Sequence, residues 1–110
     1  MYIPRLGDIC YVNFASTNGH EQSGERPFII ISRFSFNKFT SMAIVCPITS
    51  NMKIFPTHYK LLNTKKIKGM VLCEHVRNID YEARDISYVE TLSDDELKEV
   101  LDIVNGIIEL

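Results

Sequence analysis

No apolar run in these 110 residues approaches the ~20 that a membrane-spanning helix requires. An apolar leader is lacking too, since Arg5 and Asp8 follow the first four residues at once, so a cytoplasmic protein is expected. Cysteine is too scarce for a disulfide framework. Cys10, Cys46 and Cys73 are odd in number, lack metal-ligand spacing and sit inside apolar strand candidates, which predicts three buried free thiols and no metal site. A glycine-rich phosphate loop, a His-x-x-x-His pair and a Ser-centred nucleophile elbow are all missing, so no cofactor is expected. Acidic residues nearly vanish from one stretch. Residues 26–77 hold nine Lys or Arg against the single acid Glu74, whereas residues 78–110 hold ten acids against Arg84 and Lys98. A polyanion could therefore find a local site despite the formal net charge of -2, although solvated lysines beside a solvated helix would give the same pattern.

With 45% hydrophobic residues, the chain reads as one globular domain, 1–110. Apolar segments at 5–14, 27–32, 41–48, 59–62, 69–74 and 86–89 read as six short strands, with a helical turn at 80–85. The first is apolar on both faces, and the fifth is expected to run on through His75 and Val76. Pro27 is placed at the first position of its strand, and Pro47 at an edge or bulge. Residues 33–40 read as a polar connection carrying Phe34, Phe36 and Phe39, expected to plug the end of a barrel or else to meet a partner or a base. Ser93 and Glu96 have capping-box spacing and open a helix whose apolar stripe is Leu97, Val100, Leu101, Val104 and Ile108. The fold class predicted is mainly β with α (α+β): about six short, strongly bent antiparallel strands in a small sheet or barrel, capped by a C-terminal helix.

The chemistry points to the ends of two strands. Residues 19–27, Gly-His-Glu-Gln-Ser-Gly-Glu-Arg-Pro, form a polar loop that ends in Arg26 where the second strand begins. A guanidinium on a rigid base is well placed for function, but a surface arginine on a long hairpin loop would look the same. Thr49 and Ser50 close the third strand. If the two strands are antiparallel neighbours, the cation and the hydroxyls face one cleft, which suits a phosphate: the arginine fork binds its oxygens and the hydroxyl donates. RNA carries its own nucleophile, the 2'-hydroxyl, so such a sparse site can suffice.

The segments Gly7-Asp8-Ile9-Cys10-Tyr11-Val12, residues 19–27 and Asn37 are followed by Ala43-Ile44-Val45-Cys46-Pro47-Ile48-Thr49-Ser50. Pro56-Thr57-His58, Gly69, Glu74-His75-Val76-Arg77-Asn78-Ile79-Asp80 and Arg84 complete the run. In this order and spacing, over essentially the whole chain, the sequence resembles the MazF/PemK family, toxins of bacterial type II toxin–antitoxin systems. The resemblance implies an SH3-like barrel, a homodimer and metal-independent cleavage of single-stranded RNA at short motifs, leaving 2',3'-cyclic phosphate and 5'-hydroxyl ends. It also implies a cognate antitoxin whose disordered acidic tail competes with RNA.

By the same resemblance the catalytic residues fall on Arg26 and Thr49, and residues 15–26 form a loop that lines the RNA channel. Arg26 would stabilise phosphate charge rather than donate a proton, since free arginine is a poor acid. Ser50 is the weaker neighbour of Thr49, and Glu21 would pin Arg26 or the loop. His20 and His58 are candidates for acid–base work, substrate contact or structural hydrogen bonding. Gly19, Gln22, Ser23, Asn37, Lys53, Thr57, His75 and Arg77 are the expected RNA contacts, with His75 standing where the family often has glutamine. Lys60, Lys65, Lys66 and Lys68 are candidates for steering the backbone. Two other functions use the same features: a DNA gyrase poison on a related barrel, with no need for Arg26, and a nucleic-acid-binding module that tolerates loss of Thr49.

Overall fold

The computed structural model describes residues 1–13 and 25–109. Their strands are β1 (Asp8–Asn13), β2 (Glu25–Ile30), β3 (Ala43–Thr49), β4 (His58–Lys60), β5 (Met70–Leu72), β6 (Arg77–Ile79) and β7 (Ser87–Thr91). Two helices join them, α1 (Phe34–Thr40) and α2 (Asp94–Ile108). Every strand pair is antiparallel, in the order β4-β5-β3-β2-β1-β7, with β6 also on β3. The class is α+β, as the periodicity predicts. No helix among the described residues is long and apolar enough to cross a membrane.

The central strands are buried on both faces, so the sheet carries two cores. Ile9, Ile29, Cys46 and Ile48 pack with Leu61, Ile67 and α2. Cys10, Phe28, Ile30 and Val45 pack on the other face with Ile79 and Tyr81. That two-sided burial is why β1 and β2 read as unbroken apolar runs instead of alternating. All three cysteines are free and buried. Burial pushes the Cys10 and Cys73 thiols up to about 11 and Cys46 to about 12, so they are inert packing groups.

The strand path is open, and its ends are tied by side chains. Glu96, 3% exposed, accepts from the Tyr59 hydroxyl at 2.8 Å and from the Leu62 and Asn63 N–H groups at 2.8 and 3.1 Å. Glu90 of β7 accepts from the N–H groups of Lys65, Lys66 and Ile67 at 2.9, 2.9 and 2.8 Å. Together these carboxylates fasten the β4–β5 connection to β7 and α2. A bulge leaves Val89 unmatched between Glu90, opposite Ile9, and Tyr88, opposite Cys10.

Several expectations give way here. Seven strands are present among the described residues, because β5 stops at Leu72 and a turn through Cys73 and Glu74 separates it from β6. The two pieces pair with different parts of β3: β6 with residues 43–45 and β5 with 48–49. Pro47 sits in the break between them, so its missing N–H removes no ladder bond on that side. Pro27 is the third residue of β2, at a point where β2 pairs only with β1.

Residues 33–40 are mostly helix, and the phenylalanines do not plug a barrel. Phe39 is 91% exposed, Phe36 37%, and Phe34 lies under the Arg5 guanidinium at 4.7 Å. In α2 the Ser93 hydroxyl accepts from the Glu96 N–H at 3.3 Å, one half of the expected capping box. The other half is absent because the Glu96 side chain serves the loop. Val100 and Val104 are buried and Leu97 and Ile103 pack beside them, whereas Ile108 is 67% exposed.

Candidate functional site

The β2–β3 register brings Arg26 and Thr49 together. Phe28 pairs with Pro47, Ile29 with Cys46 and Ile30 with Val45. Carried two residues further, the same register sets Arg26 across from Thr49. Strand alternation puts Arg26 on the face of Phe28 and Ile30, and Thr49 on the face of Ala43 and Val45; these four belong to one core. The cation and the hydroxyl therefore share one face at one end of the sheet. They line a cleft of about 490 Å³ with Tyr11, Glu25, Ser50, Lys66 and Lys68.

Each side chain is held by ordinary backbone chemistry. Arg26 is anchored by the β1 pairing Val12–Arg26, and its side chain is exposed. Among the described residues no carboxylate pairs with it. The Thr49 hydroxyl oxygen accepts from the Asn51 N–H at 3.1 Å, which fixes the oxygen and leaves the O–H to donate elsewhere. Gly69 backs this residue. Its φ is +144°, and a Cβ there would collide with the Thr49 carbonyl oxygen. On the opposite wall Lys66 and Lys68 come from the connection that Glu90 and Glu96 hold. Lys68 donates from Nζ to the Thr64 carbonyl.

A second polar group lies outside the cleft, around Glu74. The Thr57 hydroxyl donates to Glu74 Oε1 at 2.7 Å, His58 Nε2 meets Oε2 at 3.0 Å, and His75 Nε2 stands 3.6 Å from Oε2. On its other side His58 Nδ1 faces the Lys53 carbonyl at 3.0 Å. That carbonyl, then the Glu74 carboxylate, raises the His58 imidazole above its ordinary value of 6.5. Burial alone would raise the Glu74 carboxyl. Hydrogen bonds from Thr57, its own N–H and His58 outweigh that and hold it below its ordinary value.

Of the residues singled out from sequence, Arg26, Thr49 and Ser50 meet at the cleft. His58, Thr57 and His75 gather around Glu74, the Lys53 carbonyl meets the far side of the His58 ring, and Arg77 is exposed on β6. Asn37 is a correction. It is 0% exposed, accepts from the Ser32 hydroxyl at 2.5 Å and donates to the Pro4 and Ser32 carbonyls. Its own carbonyl accepts from the Tyr81 hydroxyl at 2.8 Å. Asn37 is thus a structural post with no surface to offer RNA. Gly19, His20, Glu21, Gln22 and Ser23 lie outside the described residues.

Sequence reasoning did not single out Glu25, Gly69, Glu90 or Glu96 as site or supporting residues. Glu25 carried a usable signal in its place beside Arg26 at the strand entrance, and Gly69 in its place among the segments that carry the resemblance.

Residues 5–108 match the model of the PemK-like, MazF-like toxins of type II toxin–antitoxin systems. The chain belongs to this family. The endoribonuclease toxin MazF of Escherichia coli (strain K12) is 32% identical over 107 residues, covering 97% of this chain and 96% of that protein. The endoribonuclease PemK of Escherichia coli is 31% identical over 106 residues, covering 93% and 80%. A crystal structure of MazE–MazF from Deinococcus radiodurans superposes with a TM-score of 0.93 at 30% identity, over 100% of this chain and 99% of that one. As a MazF/PemK family member, the chain carries its exposed arginine and strand-end threonine on one face of one cleft.

Proposed function

We propose that this protein is an endoribonuclease toxin that cuts single-stranded RNA at a short sequence motif, needing no metal and arresting growth when unopposed. The observation that carries this reading is the meeting of Arg26 and Thr49 on one face of the same cleft. The naming of similar proteins as endoribonucleases supports the reaction class.

In this reading the 2'-oxygen of one nucleotide attacks the adjacent phosphorus as its proton passes to water, and the bond to the 5'-oxygen breaks as that oxygen takes a proton from water. The products are a 2',3'-cyclic phosphate and a 5'-hydroxyl. The arginine fork of Arg26 donates to the non-bridging oxygens as their charge grows. Thr49, its oxygen fixed by Asn51, donates its O–H to the same phosphate, and Ser50 stands beside it. Lys66, with Lys68 behind it, gives the far wall a positive field for the flanking backbone. The cytoplasm, where mRNA is translated, is the proposed site of action. A homodimer is proposed as the active form, with an acidic antitoxin segment covering the basic cleft; a MazE–MazF complex among the similar structures supports such a partner.

The test is incubation of purified wild type and Arg26→Ala with a long, structure-poor RNA in EDTA, followed by mapping of the ends. Discrete wild-type cuts that Arg26→Ala does not make are expected. Equal cutting by Arg26→Ala would remove Arg26 from the mechanism. Growth arrest by Arg26→Ala with no RNA cut by either protein would favour a gyrase-type poison.

A further inference from the structure

His58 lies outside the cleft, yet it is joined to Thr49 by a continuous chain of bonds. The loop of residues 50–57 leaves Thr49 and returns to His58 with its side chains turned outward: Ile54 is 90% exposed, Phe55 50% and Met52 46%. The Phe55 ring leans on the His58 ring at 5.4 Å between centroids, and the His58 N–H donates to the Phe55 carbonyl at 2.9 Å, so both hold the loop at its His58 end. Toward Thr49 its order comes from a few hydrogen bonds. The Asn51 N–H donates to Thr49 Oγ1 at 3.1 Å, the Lys53 N–H donates to Asn51 Oδ1 at 3.2 Å, and the Lys53 carbonyl meets His58 Nδ1 at 3.0 Å.

The tautomer follows from the partners. A carbonyl oxygen only accepts, so Nδ1 carries a proton. The carboxylate of Glu74, which receives the Thr57 hydroxyl on its other oxygen, also only accepts, so Nε2 carries one as well. With both ring nitrogens on oxygen acceptors, the ring is complementary only as imidazolium. The titratable groups that face it are Glu74, His75 beside that carboxylate, and Lys53, whose charge opposes the ring's.

We infer that His58 is a positioning residue: as an imidazolium bridging the Lys53 carbonyl and Glu74, it locks the 50–57 loop and through Asn51 aims the Thr49 hydroxyl. Its effect on rate rests on the nuclease reading above; its effect on the loop does not. Loss of the proton leaves a lone pair facing an acceptor, and the clamp loosens. Glu74→Gln makes the opposite case. Its amide oxygen still accepts from Thr57 and its NH2 donates to Nε2, so a neutral His58 is fully satisfied and keeps Nδ1–H on Lys53.

The experiment uses the whole protein, with ring-nitrogen NMR and amide hydrogen exchange beside steady-state cleavage of an RNA oligonucleotide. In the wild type, His58 should titrate above 6.5. His58→Ala should speed exchange at Asn51 and Lys53 by about tenfold and lower kcat by ~10- to 100-fold with little change in KM. Glu74→Gln should keep both amides protected, and the ratio of wild-type to Glu74→Gln rate should fall as pH rises through the His58 titration. Unchanged amide protection in His58→Ala, or parallel pH profiles of wild type and Glu74→Gln, would overturn the inference. Should a folded wild type cut no RNA, the nuclease reading fails, and amide exchange alone still decides whether His58 holds the loop.

Discussion

Two loops flank the cleft, and carboxylates hold both, but in different ways. Residues 61–69 bury Leu61, Thr64 and Ile67 at 4–6% exposure and hand five N–H groups to Glu90 and Glu96. Residues 50–57 bury no side chain fully and reach Glu74 through a histidine and a threonine hydroxyl. The first loop is part of the core and carries Lys66 and Lys68 on its surface. The second is an exposed strap whose hold on Thr49 depends on a proton. Saturated carboxylates, Glu96 among them buried, make a wall, while an exposed strap with a titratable anchor makes an adjustable one.

The sharpest way to isolate the cleft from both loops is Arg26→Ala. With both loops intact, RNA cleavage should fall on the order of 10³-fold while thermal stability stays close to wild type. Glu96→Ala attacks the permanent wall. It strands the Tyr59 hydroxyl and two N–H groups, and urea unfolding should show a loss of about 3 kcal/mol.

Gly69→Ala strikes where both walls meet Thr49. The collision with the Thr49 carbonyl, together with the positive φ, should lower stability by about 2 kcal/mol and reduce cleavage alongside it.

The carboxylates also separate the loops by pH. Burial alone would raise Glu90, but the Lys65, Ile67 and Lys66 N–H groups and the Lys66 charge hold it below its ordinary 4.5. Its stabilisation is therefore complete above that value and lost as pH falls through its lowered folded value. Acid unfolding of Glu90→Gln should lack that share of the pH slope. The strap behaves oppositely on its basic side. The raised His58 contributes fully below 6.5, and its contribution disappears as pH rises through the folded value. Smallest of all, Phe39→Ser should change stability by less than ~0.5 kcal/mol, since the ring meets solvent.

The cleft was legible in sequence because its logic is local and topological. An arginine at a strand entrance and a threonine at the next strand's exit need only antiparallel pairing to meet, and the β2–β3 register supplies it. The helix α1 was hidden for a physical reason: its one buried residue is polar. Asn37 reaches Pro4 and Ser32 across the chain, so no apolar stripe marks the inner face, and Phe36 and Phe39 point the pattern outward. The spacing from Ser93 marks Glu96 only as a helix cap, and nothing marks Glu90, because the groups they hold are backbone N–H groups 23–34 residues away and, for Glu96, the Tyr59 hydroxyl, which no side-chain spacing records. The break between β5 and β6 was hidden as well, since apolar character continues through it at Val76 while β3 changes neighbours.

The central claim is that RNA supplies the nucleophile and the protein supplies a cation and a hydroxyl around the phosphate. Its most direct test is an oligonucleotide carrying a mapped cleavage motif, with a single 2'-deoxynucleotide at the scissile position. The account predicts that this substrate still binds but is not cut, while its all-ribose twin yields a 2',3'-cyclic phosphate. Cleavage of the deoxy substrate at an undiminished rate would contradict it.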